Sequence, residues 1–320
     1  MHRRNNFILA GTTLLLAAGL LPAQQATQQP PPGNDTGDAV FSTETRLVPL
    51  NVTVADKSGH LITNLPQSAF SIFENGILQQ IKLFKREDVP VSMGLIIDNS
   101  GSMRERRQAV ESAALALVKD SNKQDEVFIV NFNDEAYLDA DFTSDEKIME
   151  QGLTKIDSRG GTAMRDAIRM SIDHLKEKAK RDKKVLLVVT DGNDNASNIA
   201  LEPLIKLAQQ DDVLIYAIGI LSDEDKKEAK KAERALNLIV ESTGGQVFYP
   251  KDVSEVDKLA HQVARDIRNQ YTIAYTSTNS ALDGTYRQIK VSVKGPGNPV
   301  ARTRSGYYAT APKGPKNPSY

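Results

Sequence analysis

The 320-residue chain contains no cysteine. That excludes disulfides, thiolate metal sites, a cysteine nucleophile and a lipidated cysteine anchor, so an exported form would rely on core packing without covalent staples. Histidine is scarce: His2, His60, His174 and His261 are scattered along the chain. No His-Glu-x-x-His and no Gly-x-Ser-x-Gly occurs, which removes two common hydrolase signatures. No Gly-x-Gly-x-x-Gly follows the first strand of the central region and no phosphate loop is present, so a nucleotide partner has no support. The formal net charge is −1, which gives no bulk attraction to nucleic acid or an anionic membrane. Long apolar runs are also lacking. The run 7–21 is shorter than the roughly 20 residues needed to span a bilayer, so no membrane span is expected in the mature chain.

What is present has ordinary globular proportions. Hydrophobic residues make up 40% and charged residues 25%, and the length suffices for two domains. Met1-His2-Arg3-Arg4, the apolar run and Pro22-Ala23 predict a secretory signal peptide at residues 1–23. Cleavage falls after Ala23 or Ala26, and a membrane anchor is the alternative reading. Residues 24–41, rich in Gln, Pro, Gly and Asp, predict a disordered linker, and residues 311–320 a tail. Export would place the protein in the periplasm or outside the cell.

Both ends of the folded region have β character. Residues 45–58 alternate, with Val48, Leu50, Val52 and Val54 on one face. A strand resuming over 61–65 is expected after the turn Asp56-Lys57-Ser58-Gly59. Apolar runs at 70–73 and 79–84 flank Glu74-Asn75-Gly76, a strong hairpin signal. Near the other end, 271–276, 286–294 and 300–308 alternate as well. Each piece alone would have a thin core. The expectation is one β-sandwich made from residues 42–88 and 270–310, with residues 89–269 inserted between them; separate small β units are the alternative.

Residues 89–269 alternate strands and helices. Strands are expected at 91–97, 127–132, 135–142, 184–190, 213–220 and 246–249. Helices are expected at 104–119, 145–156, 163–180, 202–210, 223–242 and 253–268. Near-continuous apolar strands such as Val185 to Val189 fit a parallel sheet covered on both faces. This predicts a doubly wound α/β fold with a mostly parallel six-stranded sheet, whose ligands sit beyond the carboxyl ends of the strands.

Three polar stretches fall at such places. Leu95-Ile96-Ile97 ends in Asp98-Asn99-Ser100-Gly101-Ser102, Gly160-Gly161-Thr162 opens a helix, and Val189-Thr190 ends in Asp191-Gly192. Asp98, Ser100, Ser102, Thr162 and Asp191 are hard oxygen donors suited to Mg²⁺, Mn²⁺ or Ca²⁺. Singly, each has an ordinary explanation. Ser100 or Ser102 would cap the helix expected from Arg104, Thr162 the helix from Ala163, and Asp191-Gly192 would be a turn. Asp194 and Asn195 are expected to form a loop, and Asp157 and Asp166 to be solvated, the latter compensating a helix dipole. The runs 176–184 and 223–234 are expected to be solvated, mixed-charge helix faces.

Taken together, Asp98-x-Ser100-x-Ser102, Thr162 and Asp191 resemble the metal-ion-dependent adhesion site of von Willebrand factor type A domains, over roughly residues 91–269. Phe132-Asn133-Asp134 and Ile218-Gly219-Ile220 are similar to further family positions. The flanking β pieces and Arg304-Ser305-Gly306-Tyr307-Tyr308-Ala309 resemble von Willebrand-type proteins common in acidobacteria. The resemblance implies that the five residues hold Mg²⁺ or Mn²⁺, the serines directly and the acids partly through water. It further implies that the metal captures an Asp or Glu carboxylate of a protein partner, without catalysis. Gly101 and Gly161 are expected to allow close backbone approach, and Asn99 to face solvent. The alternatives are an envelope scaffold with a structural metal and, with less support, a metal-dependent hydrolase using Asp98 and Asp191. The oligomeric state is not legible.

Overall fold

The apolar runs of the central region become the strands of a covered sheet. The computed structural model describes residues 47–310 apart from 87, 121, 155–157, 193 and 222–224. The predicted signal peptide, linker and tail, together with Asp157, lie outside the described residues. In chain order, four strands come first: β1 (Leu47–Ala55), β2 (Phe70–Glu74), β3 (Ile77–Gln79) and β4 (Ile81–Lys85). The α/β region follows with β5 (Val91–Asp98), α1 (Arg107–Lys119), β6 (Glu126–Phe132), β7 (Ala136–Thr143), α2 (Glu146–Leu153) and α3 (Met164–Lys178). It continues with β8 (Lys183–Thr190), α4 (Leu201–Gln210), β9 (Val213–Gly219), α5 (Lys226–Thr243), β10 (Val247–Phe248) and α6 (Val256–Arg268). The chain returns to strands in β11 (Tyr271–Thr276), β12 (Tyr286–Val293), β13 (Val300–Arg302) and β14 (Gly306–Tyr308).

The six-stranded sheet has the order β10-β9-β8-β5-β6-β7. Only β7 runs antiparallel, pairing with β6 through a short connection. Every residue of β5 and β9 is buried, as a strand covered on both faces requires. Side chains alternate between two cores. Met93, Leu95 and Ile97 pack with α1, α2 and α6, whereas Ile96, Phe128 and Val130 pack with α3, α4 and α5. The central strand β5 lies between β8 and β6, so the chain reverses its direction of winding there.

The two chain ends interleave in two antiparallel four-stranded sheets, β13-β1-β11-β4 and β14-β12-β2-β3. Their inner faces share one apolar cluster built from Val48, Leu50, Val52, Ile72, Tyr271, Ile273, Tyr275 and Ile289. Asn75 and Gly76 both have positive φ, as the tight hairpin between β2 and β3 demands. Three sequence expectations need correction. The run expected over 300–308 divides into β13 and β14, which join different sheets. The single strand expected over 79–84 breaks at Gln80, and its halves β3 and β4 join different sheets. The strand expected over 61–65 reduces to one bridge, Ala55 to Leu61. There the backbone is held instead by the Tyr271 hydroxyl, which donates to Ile62 O and accepts from Leu65 N, both at 3.0 Å.

These sheets meet the α/β region where its parallel strands begin. Arg302 pairs with buried Asp266 at 2.9 Å, Arg304 with Asp212 at 2.8 Å, and Gln270 donates to Thr53 at 2.9 Å. The carboxyl ends of β5 and β8 therefore remain clear of them. Inside the β sheets, buried Glu74 accepts from the hydroxyls of Tyr275 (2.7 Å), Ser277 (2.6 Å) and Tyr307 (3.0 Å), which lie beyond its own strand. Glu74→Ala leaves two buried tyrosine hydroxyls without an acceptor and is expected to cost about 3 kcal/mol, at ~1–3 kcal/mol per unsatisfied group. Urea denaturation measures this; a change below about 0.5 kcal/mol, the range of neutral surface substitutions, would contradict the tying role.

Candidate metal centre

Asp98 is the last residue of β5, and Asp191 directly follows β8, its neighbour in the sheet. Parallel pairing of Ile97 with Val189 brings these two strand ends side by side. Asp98 is 2% exposed and Asp191 8%. Each Asp98 oxygen has a protein donor: Ser100 N at 2.8 Å on Oδ1 and Thr190 Oγ1 at 2.6 Å on Oδ2. Thr190 Oγ1 in turn accepts from Gly192 N at 2.9 Å. Burial, and then the Asp191 charge, push the Asp98 carboxyl up to about 6 against these donors.

The hydroxyls come from two loops. Ser100 precedes a short 3₁₀ turn (Gly101–Met103), yet its side chain makes no capping bond there. Its Oγ lies 3.1 Å from Ser102 Oγ. Thr162 lies before α3, where Ala163 occupies the cap position without a side-chain bond. The ordinary explanation of these hydroxyls as helix caps therefore does not hold. Thr162 is 3% exposed, and among the described residues no group bonds its hydroxyl.

Several residues shape the loops without supplying the predicted ligands. Asp134 Oδ1 accepts from Gly161 N at 2.7 Å, and Asn133 O accepts from Ala163 N at 2.6 Å. Asn195 Oδ1 accepts from Thr162 N at 2.9 Å, while Asn195 N and Ala196 N donate to Thr162 O. Asp194 grips Arg165 through both Nε and Nη2 and also accepts from Arg165 N. Asp194 and Asn195 are thus loop-forming, and the loop they form holds Thr162. The signals were visible as polar residues next to Gly160-Gly161 and after β8, but their pairing across the chain is not.

Three expectations are corrected here. Asn99 does not face solvent: it is 1% exposed, and its Nδ2 donates to Asn131 Oδ1 at 2.8 Å. Gly101 needs no special room, since a Cβ there would meet Gly160 O at an ordinary 3.7 Å. The tight positions are Gly160, with φ +75° and Asp134 Oδ2 only 2.0 Å from a Cβ, and Gly161, with Asn195 Oδ1 at 2.6 Å. Asp166 is not simply solvated; it accepts from Asn198 N and Ile199 N and so fixes the start of α4.

Among the described residues no three His, Asp or Glu side chains cluster in a metal-binding arrangement. A cation at this place would therefore depend on the neutral hydroxyls. The folded pKa of Asp98 is raised from 3.8, so the Asp98 contribution to metal-free stability is greatest below that value and is lost as pH rises to about 6. In chelator, Asp98→Asn is expected to stabilise the fold by roughly 2 kcal/mol near neutral pH, about two pKa units' worth discounted for relaxation, and by little near pH 4. Urea denaturation of both proteins across that range checks it; a difference that grows towards low pH would contradict the burial account.

Residues 93–262 match the family profile of the von Willebrand factor type A domain. An uncharacterized protein of Borreliella burgdorferi is 26% identical over 213 residues, 64% of this chain. The chain spans 60% of that relative's length. A von Willebrand factor type A structure from Catenulispora acidiphila has 14% identity and a TM-score of 0.48, covering 75% of this chain and 73% of its own. An aerotolerance-related membrane protein from Bacteroides fragilis has 17% identity and a TM-score of 0.45, covering 55% and 98%. The von Willebrand domain of a type V pili tip protein from Porphyromonas gingivalis has 13% identity and a TM-score of 0.43, covering 56% and 97%. Domains of this family are generally non-enzymatic modules for adhesion or protein interaction. With more than half its length matched and with the sheet described above, the chain belongs to the von Willebrand factor type A domain family.

Proposed function

We propose that this protein is an exported binding module whose Asp98, Ser100, Ser102, Thr162 and Asp191 hold one Mg²⁺ or Mn²⁺ that captures an Asp or Glu carboxylate of a protein partner. The observation that carries the reading is the pairing of two buried carboxylates with three hydroxyls that cap no helix. Octahedral Mg²⁺ with oxygens at ~2.1 Å sets neighbouring ligands about 3.0 Å apart. The 3.1 Å between Ser100 Oγ and Ser102 Oγ fits one such edge. Both Asp98 oxygens already accept from the chain, which suits a role through water. A cation ligated mainly by hydroxyls and water keeps enough charge to favour an anionic ligand from outside. The bound metal supplies that attraction, while the chain fixes the donors: Thr190 orients Asp98, and Asn195 with Asp134 holds the Thr162 loop.

Export belongs to the same proposal and rests on the predicted signal peptide at residues 1–23. No helix among the described residues is long and apolar enough to cross a membrane. One observation favours the scaffold reading: edge strand β3 exposes Ile77 at 60% and Leu78 at 61%. In that reading chelation lowers the melting temperature but spares partner binding.

Calorimetric titration of Mg²⁺ and Mn²⁺ into the full chain is expected to reveal one saturable site that Asp98→Ala removes. Acetate or glutamate is expected to tighten it by filling the open position. Unchanged metal binding in Asp98→Ala would sink the proposal.

A further inference from the structure

A groove of about 970 Å³ opens beside the candidate metal centre. Gly192, which follows Asp191, lines it, as does Met164, two residues after Thr162. Its far wall is the exposed side of α5, where Lys227, Lys230 and Arg234 join the groove. These three cations form no ion pair among the described residues, whereas Lys231 meets Glu228 at 3.5 Å and Arg165 is held by Asp194. Leu238, 52% exposed, continues the same helical stripe at one more turn from Arg234, and Leu201 faces the groove from α4. The sequence alone makes this run a solvated, mixed-charge face. Glu228, Glu233 and Asp194 line the same groove, so five basic residues face three acids there; the fold sets this net positive charge and an exposed leucine along a concavity that starts at the metal-site loop.

We propose that this groove receives the polypeptide segment flanking the metal-bound carboxylate of a protein partner, and that the segment is acidic and carries an apolar side chain. The proposal rests on the metal-bridged reading above for the position of that carboxylate. Charge complementarity selects the occupant. Lys227, Lys230 and Arg234 attract further Asp or Glu side chains and speed their approach, while Leu238 and Leu201 offer apolar contact. The metal alone would accept any accessible carboxylate. The groove would then distinguish among partners that all present one.

The test uses the full chain with Mg²⁺ and a displayed library of random peptides, each carrying one fixed aspartate. Recovered peptides are expected to be enriched in further Asp or Glu and in Leu, Ile or Phe near the fixed position. A synthesised winner is expected to bind roughly tenfold or more weakly to the Lys227→Glu/Lys230→Glu/Arg234→Glu variant, and with a shallower salt dependence, as loss of steering charges implies. The variant's Mg²⁺ titration and circular dichroism are expected to match the parent, which separates a docking loss from a folding loss. Leu238→Ala is expected to weaken the winner but not a version of it in which the apolar residue is alanine. Recovery of peptides without excess acid, or full affinity in the charge-reversed variant, overturns the proposal. So does binding of phosphatidylglycerol vesicles without any peptide selected. If chelator spares binding while charge reversal abolishes it, the metal-bridged reading falls and the basic groove stands.

Discussion

Two carboxylates are brought together at the ends of adjacent buried strands, and much of the local structure is arranged around that repulsion. Asp98 and Asp191 have little contact with solvent, so water screens their charges poorly. The chain offsets part of the cost with Thr190 and the Ser100 amide, yet the Asp98 carboxyl still holds its proton up to about 6. A divalent cation offsets such a pair directly. The surrounding hydroxyls, which cap no helix, are suited to complete its shell without neutralising it further. Neutral ligands matter here: more carboxylates would bind the metal harder but leave it less attractive to an anion from outside.

The rest of the molecule keeps that end of the sheet open and firm. Three helices cover each face of the sheet, so β5 and β8 cannot shift without disturbing two cores. The antiparallel sheets from the chain ends attach at the opposite end through Arg302, Arg304 and Gln270. The loops of the candidate site are braced from within the α/β region, by Asp134 after β6 and by Asp194 and Asn195 after β8. The loops after β6 and β8 and the loop before α3 are thereby tied into one platform.

The sequence makes the α/β order legible because its strands are uniform apolar runs and its helices carry clear stripes. Asp98 and Asp191 stand out because each ends an apolar strand, whereas Ser100, Ser102 and Thr162 stand out only through the family resemblance. What is not legible are the contacts between distant segments. Asn99 looks like a spacer between two ligands, but its amide turns inward to Asn131 on β6. Gly101 looks obligatory by its place in the motif, whereas the steric need lies at Gly160 and Gly161, where Asp134 and Asn195 arrive from elsewhere in the chain. The break at Gln80 is hidden for a similar reason: 79–84 alternates well enough for one strand, and only the two-sheet arrangement divides it. The basic stripe of α5 has the composition of a solvated face; its place beside a groove depends on how α3, α4 and α5 pack.

The proposed function requires the five oxygen-bearing side chains to converge on one cation. Anomalous diffraction from crystals of the protein grown with Mn²⁺ tests this most directly. A single strong peak is expected within coordinating distance of Ser100 Oγ, Ser102 Oγ or Thr162 Oγ1, with Asp98 and Asp191 on it directly or through water. Crystals with these residues ordered and no peak among them, or with manganese held only elsewhere, would contradict it.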